Sequence, residues 1–270
     1  MDPLETRHAT PAADADSSPD RLTTPFVAGP RALVRDIVLH VPGASRAMER
    51  FHIDYCCGGQ KSLEGICAET KVDLAAVLAA LEEERAKGGE TDTELLELSL
   101  AAVLTRITTE HHARSRSDAE RLGALSRQVR DAHGASDPSL AAIAEETQRL
   151  FSELLVHLDE EEKLLFPYVV ELERAGAAGL PPPVALFSSV RHVIEDMERE
   201  HERCEEHTTH LRTLARDYAV TAETPAPVRA LFEGLDAHEK DLQRHMHLEG
   251  NIVFPRAERL EGKLKSVRRR

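Results

Sequence analysis

Tryptophan is absent from this 270-residue chain and aromatic residues make up only 4% of it, while charged residues make up 30%. Ala, Leu, Glu and Arg dominate instead, a composition that suits long amphipathic helices rather than sheets. The expected fold class is all-α. A surplus of positive charge is also missing. The formal net charge is −14, which argues against general binding to nucleic acid or anionic lipid, because phosphate surfaces are held through excess Lys and Arg. The only basic run, Arg268 to Arg270, reads as a solvated tail. No apolar stretch approaches the ~20 residues that a spanning helix needs. The N-terminus is polar and acidic rather than signal-like, so the sequence predicts a cytoplasmic protein with no membrane and no nucleic-acid partner.

Cysteine is scarce as well. Four are present, Cys56, Cys57, Cys67 and Cys204, two of them adjacent, and this does not resemble the spaced framework of a disulfide-stapled secreted domain. In a reducing compartment they are expected as thiols.

Along the chain, residues 1–30 are rich in Ala, Asp, Ser, Pro and Thr without apolar periodicity and are expected to be a disordered leader. Residues 31–87 carry short helical patterns, Ala32 to His40, Ser45 to Phe51 and Asp73 to Arg85, with Asp73 as an N-cap. Between them the paired glycines of Asp54-Tyr55-Cys56-Cys57-Gly58-Gly59 permit a tight turn that brings backbone close to whatever the thiols face. Residues 88–93 read as a linker, residues 94–262 as a bundle and residues 263–270 as a basic tail. The bundle holds four long helical patterns, roughly 94–132, 138–175, 184–219 and 226–260. Short connections between them imply up-down-up-down packing.

Histidine is the residue in surplus, with 14 copies. A His and a Glu four residues later share one helix face and can point at the same ion. The chain has three such pairs, His157/Glu161, His201/Glu205 and His245/Glu249. Chance alone supplies about two in a chain of this His and Glu content, so their number settles nothing. Repetition carries more weight. His157 and His245 are each followed nine and ten residues later by Phe-Pro, and His112 precedes His157 by 45 residues as His201 precedes His245 by 44. Each helical hairpin thus supplies His from its first helix and His plus Glu from its second. Several ionisable groups are costly to bury in a bundle core unless a cation pairs them, and an N/O donor set without thiolate suits Fe or Mn more than structural Zn.

The Asp-Tyr-Cys-Cys-Gly-Gly run at 54–59 and the two His-x3-Glu segments ending in Phe-Pro together resemble the repair-of-iron-centres (RIC) family. That family joins a short N-terminal domain bearing this motif to a hemerythrin-like bundle. The resemblance covers most of residues 31–260. It implies a hemerythrin-like four-helix bundle preceded by a small helical domain, with two non-haem Fe ions, oxo- or hydroxo-bridged. Carried over by motif, the iron ligands fall on His112, His157, Glu161, His201, His245 and Glu249, with the two glutamates bridging. His111 stands beside His112 where the family has an aromatic, so the choice between them stays open. Glu205 occupies the place of a further hemerythrin histidine and reads as an outer residue at most; Glu160, Glu162 and His247 read as off the ligand face.

Cys56 and Cys57 are the expected reactive thiols, since adjacent side chains diverge and do not hold one tetrahedral ion together. A thiolate in a glycine turn can accept iron, react with nitric oxide or form a reversible disulfide. Cys67 and Cys204 read as buried apolar residues. The implied function is repair of iron–sulfur clusters or other iron centres after oxidative or nitrosative damage, by supplying or mobilising iron, with damaged iron–sulfur proteins as partners. The alternatives are a module that binds or senses oxygen or nitric oxide, or a nitric oxide reductase. Whether the chain is an enzyme, and whether it pairs as a homodimer, the sequence leaves open.

Overall fold

The structure is a computed structural model that describes residues 26–56, 58–88 and 91–267. Residues 1–25 of the expected leader, Cys57, residues 89–90 of the expected linker and residues 268–270 of the expected basic tail lie outside the described residues. Among the described residues every regular element is helical, and the one β-contact is an isolated bridge between Leu33 and Ser62.

Four short helices form the N-terminal unit: α1 (Val34–His40), α2 (Ala44–Arg50), α3 (Leu63–Thr70) and α4 (Leu74–Lys87). The Asp73 side chain caps α4 by accepting from Ala75 N–H, and Ser62 caps α3 by accepting from Gly65 N–H. Helix α3 has no counterpart in the sequence reading. The four helices enclose an apolar core that includes Ile37, Met48, Ile53, Tyr55, Leu63, Val77 and Leu81.

The stretch read as a linker is tied down at its end. Asp92 is buried, and its carboxylate receives Arg244 at 2.9 Å. A separate short helix, α5 (Thr93–Glu97), follows it, so the first bundle helix starts at Leu100 rather than at residue 94. Ser99 sets that start by accepting from Ala102 N–H.

The bundle is built from α6 (Leu100–Arg106) running into α7 (Ala113–His133), α8 (Ser139–Glu160) running into α9 (Phe166–Ala178), the single helix α10 (Val190–Leu214), and α11 (Ala226–Leu248) running into α12 (Phe254–Val267). Each of the three continuous helices is joined by a π-helical turn, at Ile107–His112, Glu161–Leu165 and Glu249–Val253. Two of these turns explain how helices pass through Pro167 and Pro255. Proline has no N–H and its ring clashes with the carbonyl four residues back, and a widened turn ahead of it absorbs that mismatch. Helix α10 begins six residues later than the periodicity predicts, because Ser189 rather than the Pro181–Pro183 run caps it. It ends at Leu214, where Arg216, Asp217 and Tyr218 take left-handed backbone conformations.

Helix α7 packs on α8 and α11, and α10 packs on α8 and α11, which is the ring of an up-down-up-down bundle. Two apolar layers fill it. One includes Leu104, Ile107, Val169, Ile194, Met197, Ile252 and Phe254; the other includes Leu122, Ile143, Leu150, Leu154, Leu211, Leu231 and Leu242. Every bundle helix crosses from one layer to the other, and the crossing falls near residue 112 on the first, 157–161 on the second, 201 on the third and 245–249 on the fourth. A polar layer is thereby fixed between two dry ones.

Candidate metal centre

Six side chains meet in that polar layer: His112, His157, Glu161, His201, His245 and Glu249, each no more than 3% exposed. They form two clusters of potential ligands. His112 and His245 stand with Glu161 and Glu249 in one, His157 and His201 stand with the same two glutamates in the other, and the donor atoms within each lie within 4.8 Å of one another. The imidazoles pair across the hairpins, with Nε2 atoms 3.1 Å apart in both His112/His245 and His157/His201. Two ligands at right angles on an ion at about 2.1 Å stand ~3.0 Å apart, so this spacing suits neighbouring ligands of one cation.

The glutamates lie between the clusters. Glu249 turns Oε1 to His245 Nε2 at 2.8 Å and Oε2 to His201 Nε2 at 3.2 Å, and Glu161 Oε2 lies 3.4 Å from both His112 Nε2 and His157 Nε2. Both Glu161 oxygens and Glu249 Oε2 are buried without a hydrogen-bond partner, an arrangement too costly to keep unless a cation supplies what water no longer does. The donor set of four imidazoles and two carboxylates fits such a cation.

Burial disfavours charge on His112, but the carboxylates of Glu161 and Glu249 beside it outweigh that cost and raise its pKa to about 10. Burial likewise opposes charge on His157, and Glu161 with Glu200 raises its pKa to about 9. Burial dominates at His245 and holds its pKa down, while the surrounding imidazoles overcome the cost of burial at Glu249 and hold its carboxyl well below the usual range.

The far sides of two rings are held by carboxylates. Glu162 Oε1 lies 2.8 Å from His112 Nδ1 and Glu200 Oε2 lies 2.8 Å from His157 Nδ1. Glu162, read from the sequence as off the ligand face, is therefore part of the surroundings of the centre, and Glu200 gave no signal at all because its partner sits on another helix. Two aromatic rings complete the walls. Phe166 stacks on His112 at 5.5 Å between centroids and Phe254 on His201 at 5.9 Å, so each Phe-Pro step packs against the single histidine of its own hairpin. His111 turns away and meets Asp241 at 3.2 Å, leaving His112 as the residue that enters the cluster.

Cys56 is buried, and Asp54 builds its turn. Asp54 Oδ1 accepts from Cys56 N–H at 2.8 Å and from its thiol at 3.1 Å, while Oδ2 accepts from Gly58 N–H. A Cβ at residue 58 would stand 2.7 Å from Asp54 Oδ2 and would push that carboxylate away from the turn it braces. The turn docks on the bundle: Asn251 Nδ2 donates to the Tyr55 carbonyl at 3.2 Å, and the buried His247 ring packs edge-on against Tyr55. Cys67 and Cys204 are buried, and burial pushes the Cys204 thiol up to about 12. Glu205 faces the Cys56 turn rather than the paired clusters.

Residues 103–257 match the hemerythrin HHE cation binding domain, which is more than half of the chain. The chain belongs to the hemerythrin HHE cation-binding family. Residues 31–85 match a second family, ScdA_N, described as a domain of unknown function (DUF542). A Haemophilus influenzae protein named "Probable iron-sulfur cluster repair protein" is 27% identical over 222 residues, covering 82% of this chain and 94% of the relative. "Iron-sulfur cluster repair protein YtfE" of Musicola paradisiaca is 26% identical, covering 84% of this chain and 96% of its own, and the protein of that name from Citrobacter koseri is 27% identical over 82% and 94%. The two domains in this order, with these relatives, bear out the resemblance to the repair-of-iron-centres family. Within the hemerythrin family the centre is a metal-binding one, and among the described residues no helix is long and apolar enough to cross a membrane.

Proposed function

We propose that this chain is a cytoplasmic di-iron protein that restores iron–sulfur clusters, or other iron centres, damaged by oxidative or nitrosative stress, acting by supplying or mobilising iron. The observation that carries this reading is the pair of clusters sharing Glu161 and Glu249 inside a chain related over most of its length to proteins named for iron–sulfur cluster repair.

Two ions, rather than one, are supported by the symmetric pairing of His112 with His245 and His157 with His201. In this proposal His112 and His245 would hold one iron and His157 and His201 the other, with Glu161 and Glu249 shared between them. Bound irons would supply redox and ligand-exchange chemistry. The protein's part is to hold, orient and release them. Glu162 and Glu200 fix the tautomer of His112 and His157 so that Nε2 presents its lone pair inward, and the layers around Leu154 and Ile252 keep water from competing at the carboxylates. Six protein ligands shared by two ions would leave positions free for small molecules such as oxygen or nitric oxide, and an open site of this kind suits exchange rather than a purely structural role.

The test has two parts. Metal analysis of purified protein should give two irons per chain with a visible spectrum that changes on exposure to nitric oxide. Protein loaded with labelled iron should pass label to an iron–sulfur enzyme inactivated by nitric oxide and restore its activity. Restoration without transfer of label would point to removal of damaged iron instead, and neither restoration nor transfer would overturn the reading.

A further inference from the structure

The two hairpins differ at one telling place. Superimposing the repeated segments His157 to Pro167 and His245 to Pro255 sets Glu162 against Gly250. In the first hairpin Glu162 closes off the back of His112. In the second a Cβ at residue 250 would meet nothing within 4 Å. A cleft of about 190 Å³ occupies this side, lined by Cys56, Gln60, Glu198, His201, Glu202 and Asn251 among others. Its lining thus includes both a histidine of the paired clusters and the cysteine of the N-terminal unit.

Beside Cys56, which lines this cleft, three donors from two parts of the fold converge. A carboxylate oxygen of Asp54, the Cys56 sulfur and a carboxylate oxygen of Glu205 lie within 4.8 Å of one another. Asp54 is fixed by the backbone N–H groups of Cys56 and Gly58. Glu205 comes from α10, one turn beyond His201, and is half-buried. Among the described residues the charged groups acting on Glu205 are Asp54, Glu202 and Glu239, all acidic. A half-sheltered carboxylate facing only other carboxylates and a thiol lacks a cation.

We propose that Asp54, Cys56 and Glu205 form a third metal site, mononuclear and selective for divalent first-row transition ions, which iron occupies on its way along the cleft between the paired-ion centre and a client. One thiolate and two carboxylates give such an ion three ligands and leave its remaining positions free for exchange. On binding, the Cys56 S–H bond breaks, its proton leaves to solvent and the sulfur–metal bond forms; no electron moves, and the ion keeps its oxidation state. The transit role rests on the proposed function, while the site itself rests on the three side chains.

Cobalt(II) added to the reduced full-length protein separates the two claims, because a thiolate ligand gives cobalt an intense near-ultraviolet charge-transfer band that imidazole and carboxylate ligands do not. The wild type should take up three cobalt ions per chain, one of them with this band. Glu205→Gln should still take up two, which also reports that its bundle is intact, and bind the third at least tenfold more weakly. Cys56→Ser should take up two with no band. Saturation of the wild type at two ions without a thiolate band would overturn the site, as would an equally tight thiolate-bound ion in Glu205→Gln. Iron delivery by Glu205→Gln at the wild-type rate, with the third site lost, would overturn the transit role and leave the repair reading intact.

Discussion

Glu200 Oε2 lies 2.8 Å from His157 Nδ1, so the nitrogen facing away from the cluster is held by a carboxylate from the neighbouring helix. Glu162 does the same for His112 at the same distance. An anionic acceptor behind an imidazole fixes its tautomer and raises its basicity as a ligand. Glu200→Gln and Glu162→Gln should each weaken metal binding ~10–100-fold while leaving the far-UV circular dichroism unchanged. Titration against a competing chelator reads the affinity; no change in either variant would mean that the carboxylates merely accompany the rings.

Removing a shared carboxylate should do more. Glu161 and Glu249 are each 0% exposed and each belongs to both clusters. Glu161→Ala or Glu249→Ala is expected to lower iron content from two per chain toward none, because one substitution strips a ligand from both ions. Two variants that each keep two irons would refute the ligand set.

Metal and bundle stability should be coupled. The His112/His245 and His157/His201 pairs each take one ring from either hairpin, so an ion in either cluster ties the two hairpins together. Without it, Glu161 and Glu249 remain as buried carboxylates beside each other. Ligand held at a hundredfold excess over its Kd stabilises by about 2.7 kcal/mol, which for a chain of this size raises Tm by ~5–10 °C. Differential scanning calorimetry of holo and apo protein checks this, and coincident melts would show that the polar layer does not need a cation.

The helices of the bundle were legible because Leu, Ile and Val recur at helical spacing and Gly or Pro marks their ends, and the hairpin repeat exposed the spacing of His112, His157, His201 and His245. What was not legible arises where contacts cross between helices. Glu200 and Glu162 touch rings on other helices, and periodicity within one helix says nothing about that. The π turns were hidden for a related reason: a turn widened by one residue at Glu161 or Glu249 alters the helical phase only locally, within the tolerance of a 3.6-residue pattern. Helix α3 escaped because it spans only eight residues and includes a glycine. Residues 184–188 fall inside the third helical pattern, yet Val184 and Leu186 are almost fully exposed while Ala185 and Phe187 pack on the core, with Phe187 edge-on to Tyr168, an alternation that a helical turn would not give.

The pKa of Glu205 is raised from 4.5 to about 7, first by burial and then by Asp54. The unfolded chain releases this proton near the ordinary value, whereas the folded chain keeps it until about 7. Stability is therefore fully present below the unfolded pKa and is lost as pH rises through the folded one, by ~1–3 kcal/mol. Metal-free Glu205→Gln lacks this titration, so its stability relative to wild type should improve steadily between about pH 4.5 and pH 8. Urea unfolding at the two ends of that range makes the comparison. A difference independent of pH would mean that Glu205 is solvated in the folded state.

The N-terminal unit should be dispensable for holding iron but not for repair. Every residue of the paired clusters lies between His112 and Glu249, whereas Cys56 and Asp54 belong to the N-terminal unit. The two parts are not independent, however. His247 is 0% exposed beneath Tyr55, Leu39 joins the bundle's own core, and Arg244 reaches both Ser45 and Asp92. A chain beginning at Thr91 keeps the Asp92 contact and loses the rest, leaving His247 and Leu39's partners open to water. Deleting a packed Leu of this kind removes a few kcal/mol, so the shortened protein should melt several degrees below the full chain while still taking up two irons with the same visible spectrum. It should fail to restore a cluster enzyme damaged by nitric oxide. The full-length Arg244→Ala variant separates loss of docking from loss of the cysteine turn: it should melt earlier, keep its iron and keep Cys56, and repair in proportion to how much of the unit remains docked. Full repair by the shortened chain would show that the cysteine turn serves another task, and delivery of iron would then have to proceed from the bundle alone.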